Sequence, residues 1–235
     1  MSTIVECTNI SKNYQQGKLT VQALADVDLT VETGGFIALA GPSGSGKTTL
    51  LNLIGGLDTS DSGAIAVGGQ DYAALSGGQM ADLRLHKIGF IFQAYNLIPV
   101  LSALENVEYV MLLQGVPVAE RRRRALEMLA VVGLAGMENR RPAELSGGQQ
   151  QRVAVARAIV SNPAIVLADE PTANLDSKTG ESLLTLMRQM NRERQVTFIF
   201  STHDEMVMAY ARRLVHIRDG RISDDVQKRE STQPR

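Results

Sequence analysis

The chain has 235 residues and lacks several features that mark particular classes of protein. Its only cysteine is Cys7, which excludes a disulfide framework and a cysteine-rich zinc site, and which fits a reducing cytoplasm. Neither sign of charge is in excess, because 24 basic residues nearly balance 25 acidic ones. We therefore expect no nucleic acid among its partners.

Long hydrophobic runs are also missing. A helix needs about 20 consecutive apolar residues to span a bilayer, and Gly, Glu or Lys interrupts the apolar segments well before that length. The first residues, MSTIVECTNISKNY, contain no basic segment followed by an apolar one, so we expect no secretory signal there. The length suits one globular domain at the upper end of the usual range.

What the sequence does contain is a set of short, continuous apolar segments that alternate with helical patterns. FIALA (36–40), IGFIF (88–92), AIVLA (164–168) and TFIFS (197–201) are typical of strands buried on both faces. This alternation predicts an α/β fold, with helices covering a parallel sheet.

Nearer the N-terminus, IVECTNI and VDLTV alternate apolar and polar residues, which predicts two half-exposed strands. We expect a polar loop around Gln15, Gln16 and Gly17 between them. Residues 96–160 show helix after helix, including a capping box formed by Ser102 and Glu105.

GPSGSGKT, residues 41–48, matches the phosphate-binding pattern G-x-x-x-x-G-K-[ST] and lies between a buried strand and an amphipathic helix. Its glycines let backbone N–H groups face an anion, and the helix N-terminus adds a positive dipole end. Lys47 would meet the β- and γ-phosphates, and the Thr48 hydroxyl would ligate Mg²⁺. A Gly-Ser turn with a surface lysine is the alternative, and the flanking pattern disfavours it. The predicted nucleotide-binding residues here are Gly41, Pro42, Ser43, Gly44, Ser45, Gly46, Lys47, Thr48 and Thr49.

AIVLADE brings two carboxylates to the end of a buried strand, the edge where ligands of such sheets gather. We expect Asp169 to hold Mg²⁺ through water and Glu170 to act as general base toward the attacking water. A solvated strand end is the alternative interpretation.

The pentapeptide LSGGQ occurs twice, at residues 75–79 and 145–149. Each copy offers a serine that can cap a helix, followed by a flexible glycine pair. The flanking sequences differ, which argues against an internal repeat. One functional site and one chance copy is the interpretation that we favour over two sites.

These motifs occur together with Gln93, LADEPTANLD and STHD, and with them nearly the whole chain resembles the nucleotide-binding subunit of an ABC transporter. The resemblance implies a P-loop NTPase (RecA-like) core with an N-terminal antiparallel β lobe and an inserted helical lobe. It implies ATP and Mg²⁺ as ligands. It also selects residues 145–149 as the family's signature segment, because that segment precedes the strand with the two carboxylates.

In that family, two subunits pack head to tail around two ATP molecules, so the resemblance implies a second copy of this chain as partner. Ser146, Gly147, Gly148 and Gln149 would then meet the ATP of the partner chain. Gln93 matches the residue that senses Mg²⁺ and the γ-phosphate, and His203 matches the switch histidine. Asp176 matches the loop that crosses the interface, and Tyr14 matches the aromatic residue that stacks on adenine. Taken alone, Gln93 reads as a polar strand end.

The resemblance also suggests how the single domain, 1–235, is divided. We expect a mainly antiparallel β lobe, a phosphate-loop core, a helical lobe with the signature segment, a second part of the core with the carboxylates and His203, and a polar tail that is frayed or a short exposed helix. These are residues 1–35, 36–95, 96–160, 161–222 and 223–235.

NLIGGLD, KIGFIFQAYNLIPVLSALENV and LADEPTANLDSKTGE resemble most closely the lipoprotein-releasing, macrolide-exporter and cell-division subgroup. This implies an integral membrane permease of the FtsX-like type as partner, docked after Gln93, and a location on the cytoplasmic face of the inner membrane. An import-type ATPase is the alternative. Relatives that act in DNA repair would need coiled-coil or zinc-binding insertions, and the sequence has neither. Tandem translation factors would need a second phosphate loop. A lone P-loop kinase or GTPase would leave the signature segment without a function.

Overall fold

The computed structural model describes residues 2–17 and 19–228. Within them lie ten strands and seven α-helices. The strands are β1 Thr3–Gln16, β2 Leu19–Glu32, β3 Phe36–Ala40, β4 Ser62–Val67, β5 Gln70–Asp71, β6 Ile88–Ile91, β7 Ile165–Asp169, β8 Thr197–Thr202, β9 Arg213–Arg218 and β10 Arg221–Gln227. The helices are α1 Lys47–Ile54, α2 Gly77–Lys87, α3 Ala103–Leu113, α4 Val118–Val131, α5 Gly147–Ile159, α6 Ser177–Arg194 and α7 Glu205–Tyr210.

A six-stranded sheet in the order β10-β9-β3-β8-β7-β6 forms the centre of the domain. The four predicted buried strands and β9 run parallel to one another, and only β10 is antiparallel. Every residue of β3 and β8 is buried. Side chains alternate between two cores. Phe36, Phe198 and Phe200 pack with α3, α5 and α6, while Leu39 and Ile199 pack with α1 and the second sheet. The predicted α/β fold is confirmed, and burial on both faces explains why these strands are continuously apolar.

The second sheet is antiparallel, in the order β2-β1-β4-β5. β1 and β2 form a hairpin longer than the two predicted strands, and it reaches from Thr3 opposite Glu32 to Gln16 opposite Leu19. The expected loop at Gln15 and Gln16 is therefore wrong, because both residues pair within the hairpin. Both faces are exposed near its tip, so the sequence there shows no apolar alternation.

β4 and β5 fall within residues 36–95, which we had expected to form core, but they pair with the antiparallel sheet instead. The short apolar run AIAV marks β4 as a strand without showing which sheet it joins. Between β6 and β7, helices α3, α4 and α5 form a helical layer. The capping box of Ser102 and Glu105 begins α3 as predicted.

Asp219 and Gly220, with φ of 48° and 73°, form the turn between β9 and β10. The predicted polar tail is wrong at residues 223–227, which continue β10 and pair with β9. An ion pair between Arg213 and Asp225 joins the two strands at 2.6 Å. β10 is an exposed edge strand with polar side chains, so it lacks the alternation that predicts strands. Residues 229–235 of the expected tail lie outside the described residues. No helix in the described ranges is long and apolar enough to cross a membrane.

Candidate functional site

The phosphate loop connects the end of β3 to the first residue of α1, as its flanking pattern predicted. Gly46, just before the helix, has φ of 108°, a conformation that glycine adopts without strain. A Cβ at Gly46 would lie 2.5 Å from the carbonyl oxygen of Ala23, so the loop also packs closely against β2. A side chain at Gly41 would overlap the carbonyl of Ile217. The glycines are therefore required by the geometry of the loop.

Lys47 is buried at the mouth of this loop and donates from Nζ to the carbonyls of Gly41 and Pro42, at 2.7 and 2.8 Å. Burial lowers the pKa of Lys47, and the nearby carboxylates of Glu170 and Asp169 act in the opposite direction. Ser45 Oγ is buried in the same loop without a hydrogen bond to any described residue. The loop thus combines an ammonium group with an unused polar atom, a combination suited to an anion.

Asp169 ends β7 and joins the loop to the sheet. Its Oδ1 accepts a hydrogen bond from Thr48 Oγ1 at 3.0 Å and another from the hydroxyl of Ser201, its neighbour on β8. Ser201 was not predicted from the sequence. The register of two strands places it there, and no local motif marks it.

Glu170 follows with φ of +46°, an uncommon conformation for a residue with a side chain. Its amide donates to the carbonyl of Ser201 at 3.1 Å. Its carboxylate Oε1 lies 2.8 Å from Nδ1 of His203, a side chain that is 65% exposed whereas that of Glu170 is only 14% exposed. The turn that leaves β7 therefore aims Glu170 at the residue that follows β8, as the shared carboxyl edge of the sheet predicts.

One cavity of about 540 Å³ gathers most of the predicted residues, and we call it the phosphate-loop cavity. Residues that the sequence analysis did not single out, Val21, Gln22 and Ala23 of β2, line it as well. The predicted residues in its wall are Tyr14, Pro42, Ser43, Gly44, Gly46, Lys47, Thr48, Thr49, Gln93, Asp169, Glu170 and His203.

Tyr14 is held at the rim of this cavity by two charged residues. Its hydroxyl donates to Asp58 Oδ2 at 2.7 Å, and Lys12 Nζ donates to Asp58 Oδ1 at 2.9 Å. The same ammonium lies 5.2 Å from the centre of the Tyr14 ring. The ring is therefore fixed in place before any ligand arrives.

A second cavity of about 460 Å³ is lined by Ser146, Gly147, Gly148, Gln149 and Asp176, and we call it the signature cavity. None of these five residues lines the phosphate-loop cavity. The structure thus separates the predicted site residues into two groups.

The two LSGGQ copies begin helices with the same capping box, Ser76 with Gln79 and Ser146 with Gln149. Their surroundings differ. A Cβ at Gly77 or Gly78 would meet no atom of the described residues within 4 Å. At Gly147 it would lie 2.9 Å from Tyr95 Oη, and at Gly148 it would lie 2.6 Å from Thr179 Cγ2. Only the second glycine pair is packed against neighbouring residues.

Two hydrogen bonds connect the segments behind the two cavities. Asn174, in the wall of the signature cavity, donates from Nδ2 to the carbonyl of Gln93 at 2.8 Å. The buried Gln151 of α5 donates from Nε2 to the carbonyl of Pro171 at 2.7 Å. Neither Asn174 nor Gln151 was predicted from the sequence, because only the fold brings these segments together.

Comparison with known proteins agrees with this geometry. The family model described as ABC transporter matches residues 24–173. An uncharacterized ABC transporter ATP-binding protein of Thermotoga maritima is 46% identical over 94% of either chain. The macrolide export ATP-binding/permease protein MacB of Mannheimia succiniciproducens is also 46% identical, over 96% of this chain.

Among solved structures, the ATP-binding cassette MJ0796, described as dimeric and bound to ADP and Pi, superimposes with a TM-score of 0.90. It is 41% identical, and the match covers 97% of this chain and all of that one. The chain spans only about a third of the length of the MacB relative, 35%, but nearly the whole of the Thermotoga maritima protein. Family model, relatives and structure agree with the motifs in place around the phosphate loop: the chain belongs to the ABC transporter family, as one of its ATPase cassettes.

Proposed function

We propose that two copies of this chain close around two ATP molecules and use their hydrolysis to drive a separate membrane permease. The observation that carries the proposal is the division of the site residues into two cavities on one chain. The signature residues have no task at the chain's own phosphate loop, since they line a different cavity. A second copy packed head to tail would bring its signature cavity to this chain's phosphate loop.

In the phosphate-loop cavity, the triphosphate would lie on the loop amides and the N-terminus of α1. Lys47 would leave the carbonyls of Gly41 and Pro42 for the β- and γ-phosphates. Tyr14, with Val21 from β2 beside it in the wall, would meet the adenine at the rim. Residues 41–49 would supply the phosphate contacts.

The residues of this cavity also fit Mg²⁺. Thr48, Asp169 and Gln93 offer oxygen ligands close together, the type that Mg²⁺ prefers. Among the described residues, no group of three His, Cys, Asp or Glu side chains could hold a metal alone. This suits Mg²⁺, which is usually bound by one or two carboxylates, waters and nucleotide phosphates. When bound, Mg²⁺ would offset charge on the phosphates.

Glu170 would act as general base. It takes a proton from water while the water oxygen bonds to the γ-phosphorus and the bond to the β-phosphate oxygen breaks, giving ADP and phosphate. His203, 2.8 Å from the carboxylate, would orient Glu170 and contact the γ-phosphate. Gln93, which lines the same cavity, would position the γ-phosphate and the metal.

A cleft of about 320 Å³ beside the helical layer is where we place the membrane permease. Its wall is largely apolar and includes the stacked rings of Phe90 and Phe92, 5.8 Å apart, and the exposed side chain of Leu57. Phe92 and Asn96, which lie on either side of Gln93 in the sequence, both line this cleft. A helix of the permease seated there would therefore respond to movement of Gln93. With its permease seated in this cleft, the subunit would lie on the cytoplasmic face of the inner membrane.

Within the family, we propose the export, lipoprotein-release or mechanotransmission subgroup, with an FtsX-like permease. The similarity to a macrolide export ATP-binding/permease protein supports this. An import-type ATPase is the second candidate. Purification from membranes distinguishes them by the partner recovered: a permease with a large extracytoplasmic domain supports the first, and one with many membrane helices and a binding protein supports the second.

The sandwich is tested with Glu170→Gln, which should bind ATP and release it slowly. Light scattering should show its molar mass doubling on addition of ATP and Mg²⁺. Ser146→Arg in the same background should abolish the doubling, because the new side chain fills the signature cavity. Ser76→Arg is the matched control, an identical change at the identical position of the other LSGGQ copy, and should leave the doubling intact.

Either of two results contradicts the proposal. If ATP leaves the mass of Glu170→Gln unchanged, the free subunit does not form the sandwich. If Ser76→Arg prevents the doubling and Ser146→Arg does not, residues 75–79 are the signature segment and residues 145–149 are the chance copy.

A further inference from the structure

We propose that Tyr95 is a positioning residue that ties the loop of Gln93 to the signature segment of the same chain. Through Tyr95, ATP bound at the phosphate loop of one chain determines the position of Gly147 that the same chain offers to its partner. This inference rests on the proposed function, because it assumes that the signature cavity of one chain contacts the ATP bound by a second copy.

The first observation is the backbone next to Gln93. Tyr95 and Asn96 both have left-handed conformations, with φ of 60° and 49°. Two consecutive non-glycine residues in this region are unfavourable and persist only where neighbouring contacts hold them. The loop is thus constrained from outside.

The contact that holds it comes from the signature helix. Arg157 of α5 donates from Nη1 to the carbonyl of Asn96 at 2.6 Å and from Nη2 to the carbonyl of Tyr95 at 2.9 Å. Arg157 is partly buried, and this burial lowers the pKa of its guanidinium. The helix that begins with the signature glycines therefore forms hydrogen bonds with both left-handed residues of the loop.

The second contact is the tip of the Tyr95 side chain. Its Oη lies only 2.9 Å from the position that a Cβ would occupy at Gly147, whereas the ring carbon Cζ is 3.9 Å away. Tyr95 therefore reaches from the loop to the first glycine of α5, and its hydroxyl alone makes the approach close. In the part of the chain that the structure describes, no such neighbour lies within 4 Å of a Cβ at Gly77 in the other copy.

A third connection runs in parallel. Asn174 donates to the carbonyl of Gln93 and also lines the signature cavity beside Gly147 and Gly148. The loop of Gln93 is thus tied to the signature side of the molecule at three points: Arg157, Gly147 and Asn174. When Gln93 turns toward a γ-phosphate and metal, Tyr95 cannot keep its place unless Gly147 moves with it.

The test is a double-mutant cycle in the Glu170→Gln background, with ATP-dependent dimerisation as readout. Gly147→Ala places a methyl group against Tyr95 Oη, and we expect it to raise the ATP concentration for half-maximal dimerisation about tenfold or more. Tyr95→Phe removes that oxygen and leaves Cζ at an ordinary contact distance. Gly147→Ala with Tyr95→Phe should therefore return to within about threefold of the parent.

Gly77→Ala is the matched control and should dimerise as the parent does, since its methyl group meets nothing within 4 Å. Tyr95→Ala is the complementary variant: ATP affinity of the monomer should stay unchanged, while dimerisation weakens. A merely structural role would lower both together.

Failure of this inference is distinct from failure of the sandwich. If the parent dimerises and Gly147→Ala is equally defective with Tyr95 and with Phe at position 95, then Gly147 must be small for the phosphate alone, and the role of Tyr95 is disproved. If Gly147→Ala dimerises normally, it is also disproved. If the parent itself does not dimerise, the proposed function is wrong and this inference falls with it.

Discussion

The carboxylate of Glu170 and the imidazole of His203 meet at 2.8 Å across the ends of two neighbouring strands. Glu170→Gln keeps the size of the side chain and its place beside His203 but cannot accept a proton. We expect hydrolysis to fall at least about 100-fold, as removal of a general base does, with ATP affinity unchanged. Steady-state phosphate release and nucleotide titration measure the two quantities. Equal loss of binding would assign Glu170 to the nucleotide instead.

Ser201 should affect how strongly hydrolysis depends on Mg²⁺. Its hydroxyl and that of Thr48 donate to the same oxygen of Asp169. Ser201→Ala leaves that oxygen with one donor fewer, which loosens the orientation of the carboxylate. We expect the Mg²⁺ concentration for half-maximal activity to rise about 3- to 10-fold, with little change at saturating metal.

Ser223→Ala is a control for Ser201→Ala. It removes a strand hydroxyl of similar type, which bonds only to the carbonyl of His216 at the surface among the described contacts. Its Mg²⁺ dependence should match that of the unaltered chain. A lower maximal rate in Ser201→Ala at saturating Mg²⁺ would contradict a purely orienting role.

Asp58 should influence nucleotide affinity through Tyr14. Asp58→Ala removes the acceptor of the Tyr14 hydroxyl and the ion-pair partner of Lys12, so the ring loses its fixed position. We expect ATP to bind about 3- to 10-fold more weakly at an unchanged maximal rate, because an unfixed side chain must be ordered during binding. Asp61→Ala, whose carboxylate lies 3.9 Å from Lys12 Nζ, is the milder comparison.

Gly89 should be required for stability. A Cβ there would overlap the carbonyl of Ala158, so β6 and α5 could not keep their separation. Gly89→Ala should lower the free energy of unfolding by about 1–3 kcal/mol or more, the usual cost of overpacking. Urea unfolding measures this, and Gly77→Ala, which meets no neighbour, should be neutral or slightly stabilising.

Cys7 should be unreactive in the folded chain. It is 3% exposed, and burial raises the pKa of its thiol to about 12. The thiolate is the reactive form, so the folded thiol stays protonated at pH 8 and well above it, whereas the unfolded thiol, with a pKa of about 8.5, is partly ionised. Labelling with a thiol reagent at pH 8 should be absent without denaturant and rapid in denaturant. Rapid labelling of the folded chain would show that β1 opens.

The phosphate loop, the carboxylates and the capped helices could be predicted because each is a local pattern with one dominant physical cause. Continuous burial made the parallel strands visible in the same way. The hairpin tip at Gln15 and Gln16 and the end of strand β10, residues 223–227, were not predicted. Both are exposed and polar, and their pairing is decided by chain topology.

The residues that surround the predicted site could not be predicted from the sequence, for a related reason. Ser201 reaches Asp169 through strand register, and Val21 lines the phosphate-loop cavity because β2 passes over it. Tyr95 contacts Gly147 across 52 residues, and no short motif predicts such a contact. The roles of Tyr14, Gln93 and Asp176 stay predictions, and Asp58→Ala addresses the first of them.

The two cavities have a consequence for genetics. They are built from different segments, so a chain damaged at Lys47 keeps its signature cavity, and a chain damaged at Ser146 keeps its phosphate loop. In a head-to-tail pair, one chain of each kind would rebuild a single intact site between them, while two chains of the same kind would rebuild none. Alleles that are each inactive alone should therefore complement one another in a cell that carries both. The pairs of alleles that complement should show which residues belong to which cavity.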